Sequence, residues 1–89
     1  MFYARRQANH PPRYWHARLP QPIPLNRGRP INTLSDASNY IDGRFPVNHR
    51  GESVHSVADA LRAGAESGHR TDIEFAALML RQLLAERAA

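Results

Sequence analysis

Five of the seven prolines in this 89-residue chain fall between Pro11 and Pro24, and that clustering confines helices to the residues beyond Pro24. Proline fixes its own φ and has no N–H to donate, so neither a helix nor a central strand continues through such a stretch. Residues 1–21 are therefore expected to form an extended or disordered arm. Residues 22–89 are left to form one small domain.

Charge divides at nearly the same place. Residues 1–30 carry six arginines and no acid; residues 31–89 carry six arginines and eight acids. The basic character belongs to the arm, and the domain is slightly acidic. Every lysine-or-arginine position is an arginine, which reads either as coding bias or as a preference for bidentate phosphate contacts. The arm also holds Phe2, Tyr3, Tyr14 and Trp15, rings that a purely solvating tail does not need.

Within the domain, residues 22–33 read as a hairpin. Ile23 and Leu25 stand on one arm and Ile31 and Thr33 on the other, with Asn26-Arg27-Gly28 between them. Glycine after two polar residues suits a turn that needs positive φ, and Pro24 and Pro30 restrict both arms to edge strands. Three helices come next. Thr33 with Asp36 makes a cap, and Leu34, Ala37, Tyr40 and Ile41 repeat at helical spacing up to a stop expected at Gly43. A second helix runs from about Glu52 to about Glu66 on the stripe Val54, Val57, Ala58, Leu61 and Ala65, ended by Gly68. Thr71-Asp72-Ile73-Glu74 reads as a capping box for the third, whose apolar face is Ile73, Ala76, Ala77, Leu80, Leu83 and Leu84, widened by Phe75, Leu78 and Met79. The expected fold class is α+β, mostly α: a small N-terminal β-hairpin followed by three helices.

That order of features resembles the family called domain of unknown function 982, small proteins of rhizobia and related bacteria. The carrying residues are Gly28, Thr33-Leu34-Ser35-Asp36-Ala37, Phe45-Pro46, Gly51, Ala58, Ala65, Gly68 and Thr71-Asp72-Ile73-Glu74, across roughly residues 22–86. The chain departs from the family pattern at Phe45, where tryptophan is usual. It also lacks a cysteine in the second helix and has Phe75-Ala76 in place of an alanine-arginine pair. The resemblance implies an α+β domain with a small hairpin, and no established activity.

Chemistry-bearing patterns are sparse. Without cysteine there is no disulfide, thiolate metal site or cysteine nucleophile, and a reducing, cytoplasmic setting fits. His55 and Asp59 are four apart and share a helix face, with His49 and His69 on the flanks, but no third ligand has diagnostic spacing. No Gly-x-Ser-x-Gly elbow and no glycine-rich phosphate loop is present. The chain is thus expected to be no enzyme, with no cofactor, no metal and no small-molecule substrate.

The longest apolar run, Phe75 to Leu80, has six residues, against about eighteen for a membrane span. No apolar stretch follows Arg5 and Arg6, so the N-terminus does not read as an export signal.

Two binding surfaces remain. A domain this small cannot easily cover so wide a third helix, so Phe75, Met79 and Leu83 are candidates for an interface with a protein partner or a second copy. The competing reading is that the first two helices and the arm's rings cover them. In the arm, Arg5, Arg6, Arg13 and Arg18 are candidates for phosphate contacts, with Tyr14 and Trp15 as stacking rings. Against this, aromatic side chains docked on the domain explain the same residues. No recognised nucleic-acid-binding motif is present.

Overall fold

The computed structural model describes residues 14–45 and 51–88. Its elements are β1 (Arg18–Ile23), β2 (Ile31–Thr33), α1 (Leu34–Arg44), α2 (Glu52–Ser67) and α3 (Arg70–Ala88). The fold is mostly helical, with one two-stranded antiparallel hairpin at its N-terminal side.

The hairpin starts earlier than its prolines suggest. β1 reaches back to Arg18, which pairs with Thr33, while Ile23 pairs with Ile31. Five steps along β1 thus face two along β2, and the surplus is taken up by an irregularity around Pro20 and Pro22. Prolines without N–H donors cannot keep a regular ladder, and a bulge in an edge strand is where they are tolerated. Leu19 and Ile23 turn into the core, while Arg18, Pro20 and Pro22 are exposed. The turn between the strands contains Gly28 at φ +84, the positive value expected there.

Residues 14–17 form a turn ahead of β1, closed by the Ala17 N–H donating to the Tyr14 carbonyl at 3.0 Å. The turn joins two helix ends. The Leu34 N–H donates to Ala17 O at 3.0 Å and the Ser35 N–H to Trp15 O at 2.8 Å. These are the first two orphan donors of α1. The third, on Asp36, is taken by Thr33 Oγ1 at 3.0 Å. The Asp36 carboxylate returns the contact to the N–H groups of Thr33 and Asn32, at 3.2 and 3.1 Å, completing the capping box. On the other side, the Tyr14 N–H donates to Ala65 O at 2.9 Å, one of the orphan carbonyls of α2. Residues 14–21 are therefore part of the folded domain, and the boundary expected at residue 22 moves toward the N-terminus. Residues 1–13 lie outside the described residues.

The helix boundaries follow their local chemistry with two shifts. α1 does not stop at Gly43 but runs through Arg44, where the Phe45 N–H donates to Ile41 O at 2.8 Å. A glycine inside a helix costs about 1 kcal/mol relative to alanine, which is not enough to end one. α2 ends as expected at Gly68, left-handed at φ +69, with its N–H on Gly64 O at 2.8 Å. α3 opens at Arg70 rather than behind a Thr71 cap. Ser67 Oγ accepts from the His69 N–H at 3.0 Å and donates to Asp72 Oδ2 at 2.6 Å. Asp72 is thus tied to the end of α2, and Glu74, the acid of the expected capping box, pairs with Arg70 at 3.2 Å.

α3 packs along α2 and across β1, and α1 packs on α2 and β2. The core between them contains Leu19, Ile23, Ile31, Leu34, Ile41, Val54, Val57, Leu61, Ile73, Leu80 and Leu83 with small alanines, and no buried polar residue among the described residues. Each large side chain fully removed from water contributes about 1.5–3 kcal/mol.

Candidate binding surfaces

The face of α3 expected to seek a partner divides in two. Leu83 is only 2% exposed and belongs to the core, so it is no surface contact. Met79 is half-buried and packs against the same cluster. Phe75 is 57% exposed and Leu78, one turn further, 53%. The apolar arc of α3 is wider than the surface that α2 and β1 offer it. One flank is covered, and Phe75 and Leu78 on the outer flank stay in solvent. The residue omitted from the expected interface is Leu78, whose i, i+3 spacing from Phe75 is visible in the sequence.

The arginine-aromatic set is also divided. Arg5, Arg6 and Arg13 lie outside the described residues. Arg18 is exposed on β1. Trp15 is half-buried and packs against the core cluster. Tyr14 is 40% exposed, with its ring lying on Gly68, so closely that a Cβ there would come within 2.8 Å of ring carbons. Both rings are engaged in holding the N-terminal turn to the helices, and neither is an unobstructed stacking platform.

A third surface matches no motif in the sequence. A groove of about 610 Å³ opens between the hairpin turn, α1 and the last turns of α3. Its apolar lining includes Ile23, Pro24, Leu25 and Leu84, with Tyr40 beside them. Four arginines line it as well, from three separate parts of the chain: Arg27, Arg44, Arg81 and Arg87. All four are exposed. Arg81 Nη2 donates to Gln21 Oε1 at 3.2 Å, and the Arg87 guanidinium sits 5.1 Å from the centre of the Phe45 ring. No spacing in the sequence marks these arginines as a set, because the fold alone brings them together.

No acid lines the groove. All eight acids of the chain lie among the described residues, and several are engaged elsewhere. Glu66 pairs with Arg62 and Glu74 with Arg70, each at 3.2 Å. Asp36 serves the cap of α1 and Asp72 the hydroxyl of Ser67. Neither of these ion pairs between described residues involves a groove arginine.

His55 and Asp59 are both on the surface of α2. Among the described residues, no three or more histidines and acids gather where a metal ion could be held. No helix among them is long and apolar enough to cross a membrane. No protein-family model, no curated protein and no solved structure matches this chain.

Proposed function

We propose that the chain is a non-catalytic protein-interaction module that binds through the outer face of α3. The observation that carries this is the pair Phe75 and Leu78. Both are more than half exposed, while the core closes completely without them. Large apolar side chains grouped on one helix face are the usual anchors of helix-mediated contacts. Membership of the domain of unknown function 982 family stays a proposal beside this one and carries no activity with it.

The test is sedimentation of the full chain, alone and with proteins retained on it from its source cells, compared with Phe75→Glu/Leu78→Glu. The expected result is an association, with a second copy or a retained protein, that the double variant loses while its unfolding curve is unchanged. An association that survives the double variant intact, or no association at all, contradicts the proposal.

The alternative is a nucleic-acid contact through Arg5, Arg6, Arg13, Tyr14, Trp15 and Arg18. It is less favoured because Trp15 and Tyr14 are engaged with the domain.

A further inference from the structure

We infer that the groove between the hairpin turn, α1 and the end of α3 is a second binding site, for an acidic peptide segment of a partner protein with apolar residues among its acids. This goes beyond the α3 outer-face reading and uses different residues.

The first support is charge. Arg27, Arg44, Arg81 and Arg87 surround one groove with no acid in its lining, although residues 31–89 as a whole carry more acids than arginines. Four like charges gathered around one groove repel one another, and a negative ligand relieves that repulsion. Guanidinium groups present fixed forks of donors that match a carboxylate with two parallel hydrogen bonds. Two of the four are already oriented by the protein: Arg81 by Gln21 and Arg87 by the face of Phe45. Side chains held in place lose less freedom when a ligand arrives.

The second support is the lining between the charges. Pro24, Leu25 and Leu84 give apolar surface, Leu25 and Leu84 being half-buried, with Tyr40 the one aromatic ring of the lining among the described residues. A nucleic-acid strand is usually gripped by successive rings on which its bases stack, and one ring does not make such a track. A peptide with leucine-like residues between carboxylates fits both the walls and the floor.

The occupant also has to come from outside the undescribed parts of this chain. Residues 1–13, 46–50 and 89 contain no acidic side chain, so none of them can supply side-chain carboxylates. A second copy offers Glu52, Asp59 and Glu66 at seven-residue spacing along α2. That contact would be head-to-tail, however, and would propagate rather than close unless its geometry formed a ring.

The experiment is fluorescence anisotropy at low salt with the full chain and a labelled peptide alternating glutamate and leucine. Three comparison probes are the same peptide with glutamine for glutamate, with serine for leucine, and a single-stranded oligonucleotide of equal charge. The expected result is saturable binding of the glutamate-leucine peptide that weakens as salt rises. All three comparison probes should bind at least about tenfold more weakly. Arg27→Glu/Arg44→Glu should lose at least about tenfold in affinity while its thermal midpoint stays that of the wild type. Phe75→Glu should bind the peptide as well as wild type does, which separates this site from the outer face of α3.

Equal binding of the glutamine peptide would reduce the groove to an apolar surface and overturn the inference. Tighter binding of the oligonucleotide would assign the arginines to nucleic acid and overturn it too. It would also fail if no probe bound, if the arginine reversals had no effect, or if self-association of the full chain were lost in Arg27→Glu/Arg44→Glu and kept in Phe75→Glu/Leu78→Glu.

Discussion

The segment before the hairpin and the last helix use their apolar residues in opposite ways. Residues 14–21 continue the arm of prolines and arginines and read as a tail, yet Trp15 and Leu19 turn toward the core. α3 is apolar around much of its circumference and reads as a helix made for burial, yet Phe75 and Leu78 remain in solvent. Local composition therefore misjudges both. What decides the fate of an apolar side chain is the area its neighbours offer. β1 lies across α3 and is covered by it, whereas Phe75 and Leu78 on the outer side of α3 meet no such cover.

Breaking the covered side of α3 should have the largest effect. Leu80 is fully buried between α3 and its neighbours, so Leu80→Ala should destabilise by about 2–5 kcal/mol, through lost transfer energy and the cavity left behind. Urea unfolding checks this, with the midpoint falling at unchanged slope.

Gly68 tests how firmly the N-terminal turn is docked. Its φ of +69 already disfavours any side chain, and the Tyr14 ring occupies the space where a Cβ would go. Gly68→Ala should cost about 2 kcal/mol or more. It should also push Tyr14 off the end of α2, which tyrosine ring chemical shifts would report. An unchanged ring environment would mean that the turn is not held there.

A smaller effect is expected at the start of α1. Thr33→Ala removes one of three orphan-donor contacts and leaves those from Ala17 and Trp15 in place. A loss of about 1 kcal/mol in the same urea assay is the expected result. On the uncovered side, Phe75→Glu/Leu78→Glu should change stability by no more than about 0.5 kcal/mol, the usual range for surface sites. A large loss there would mean that these side chains are needed to close the fold.

Features governed by neighbouring residues are legible in the sequence. The Thr33–Asp36 cap, the positive φ at Gly28 and Gly68, and the buried stripe Val54, Val57, Leu61 and Ala65 all depend on contacts within a turn or on helical period. Features set by remote partners are not. Thr71 loses its expected capping role because α3 already opens at Arg70, which also takes Glu74 as its ion-pair partner. Leu83 and Phe75 are only about 80° apart on one apolar arc, and period alone cannot tell where along it the cover of α2 and β1 will stop. Ala17, Leu19 and Ile23 do stand at alternating positions, a strand signal that the prolines between them obscure. The four groove arginines carry no signal, since they meet only after the hairpin, α1 and α3 are assembled.

The most direct test puts both regions into one assay: urea unfolding of the full chain with Leu19→Ala and, separately, Phe75→Ala. The expected result is a loss of about 2 kcal/mol or more for Leu19→Ala, from a strand that reads as tail. Phe75→Ala, from a helix that reads as core, should change stability by no more than about 0.5 kcal/mol. The opposite ranking would contradict the account, placing the proline-rich segment outside the cooperative fold and the outer face of α3 within it.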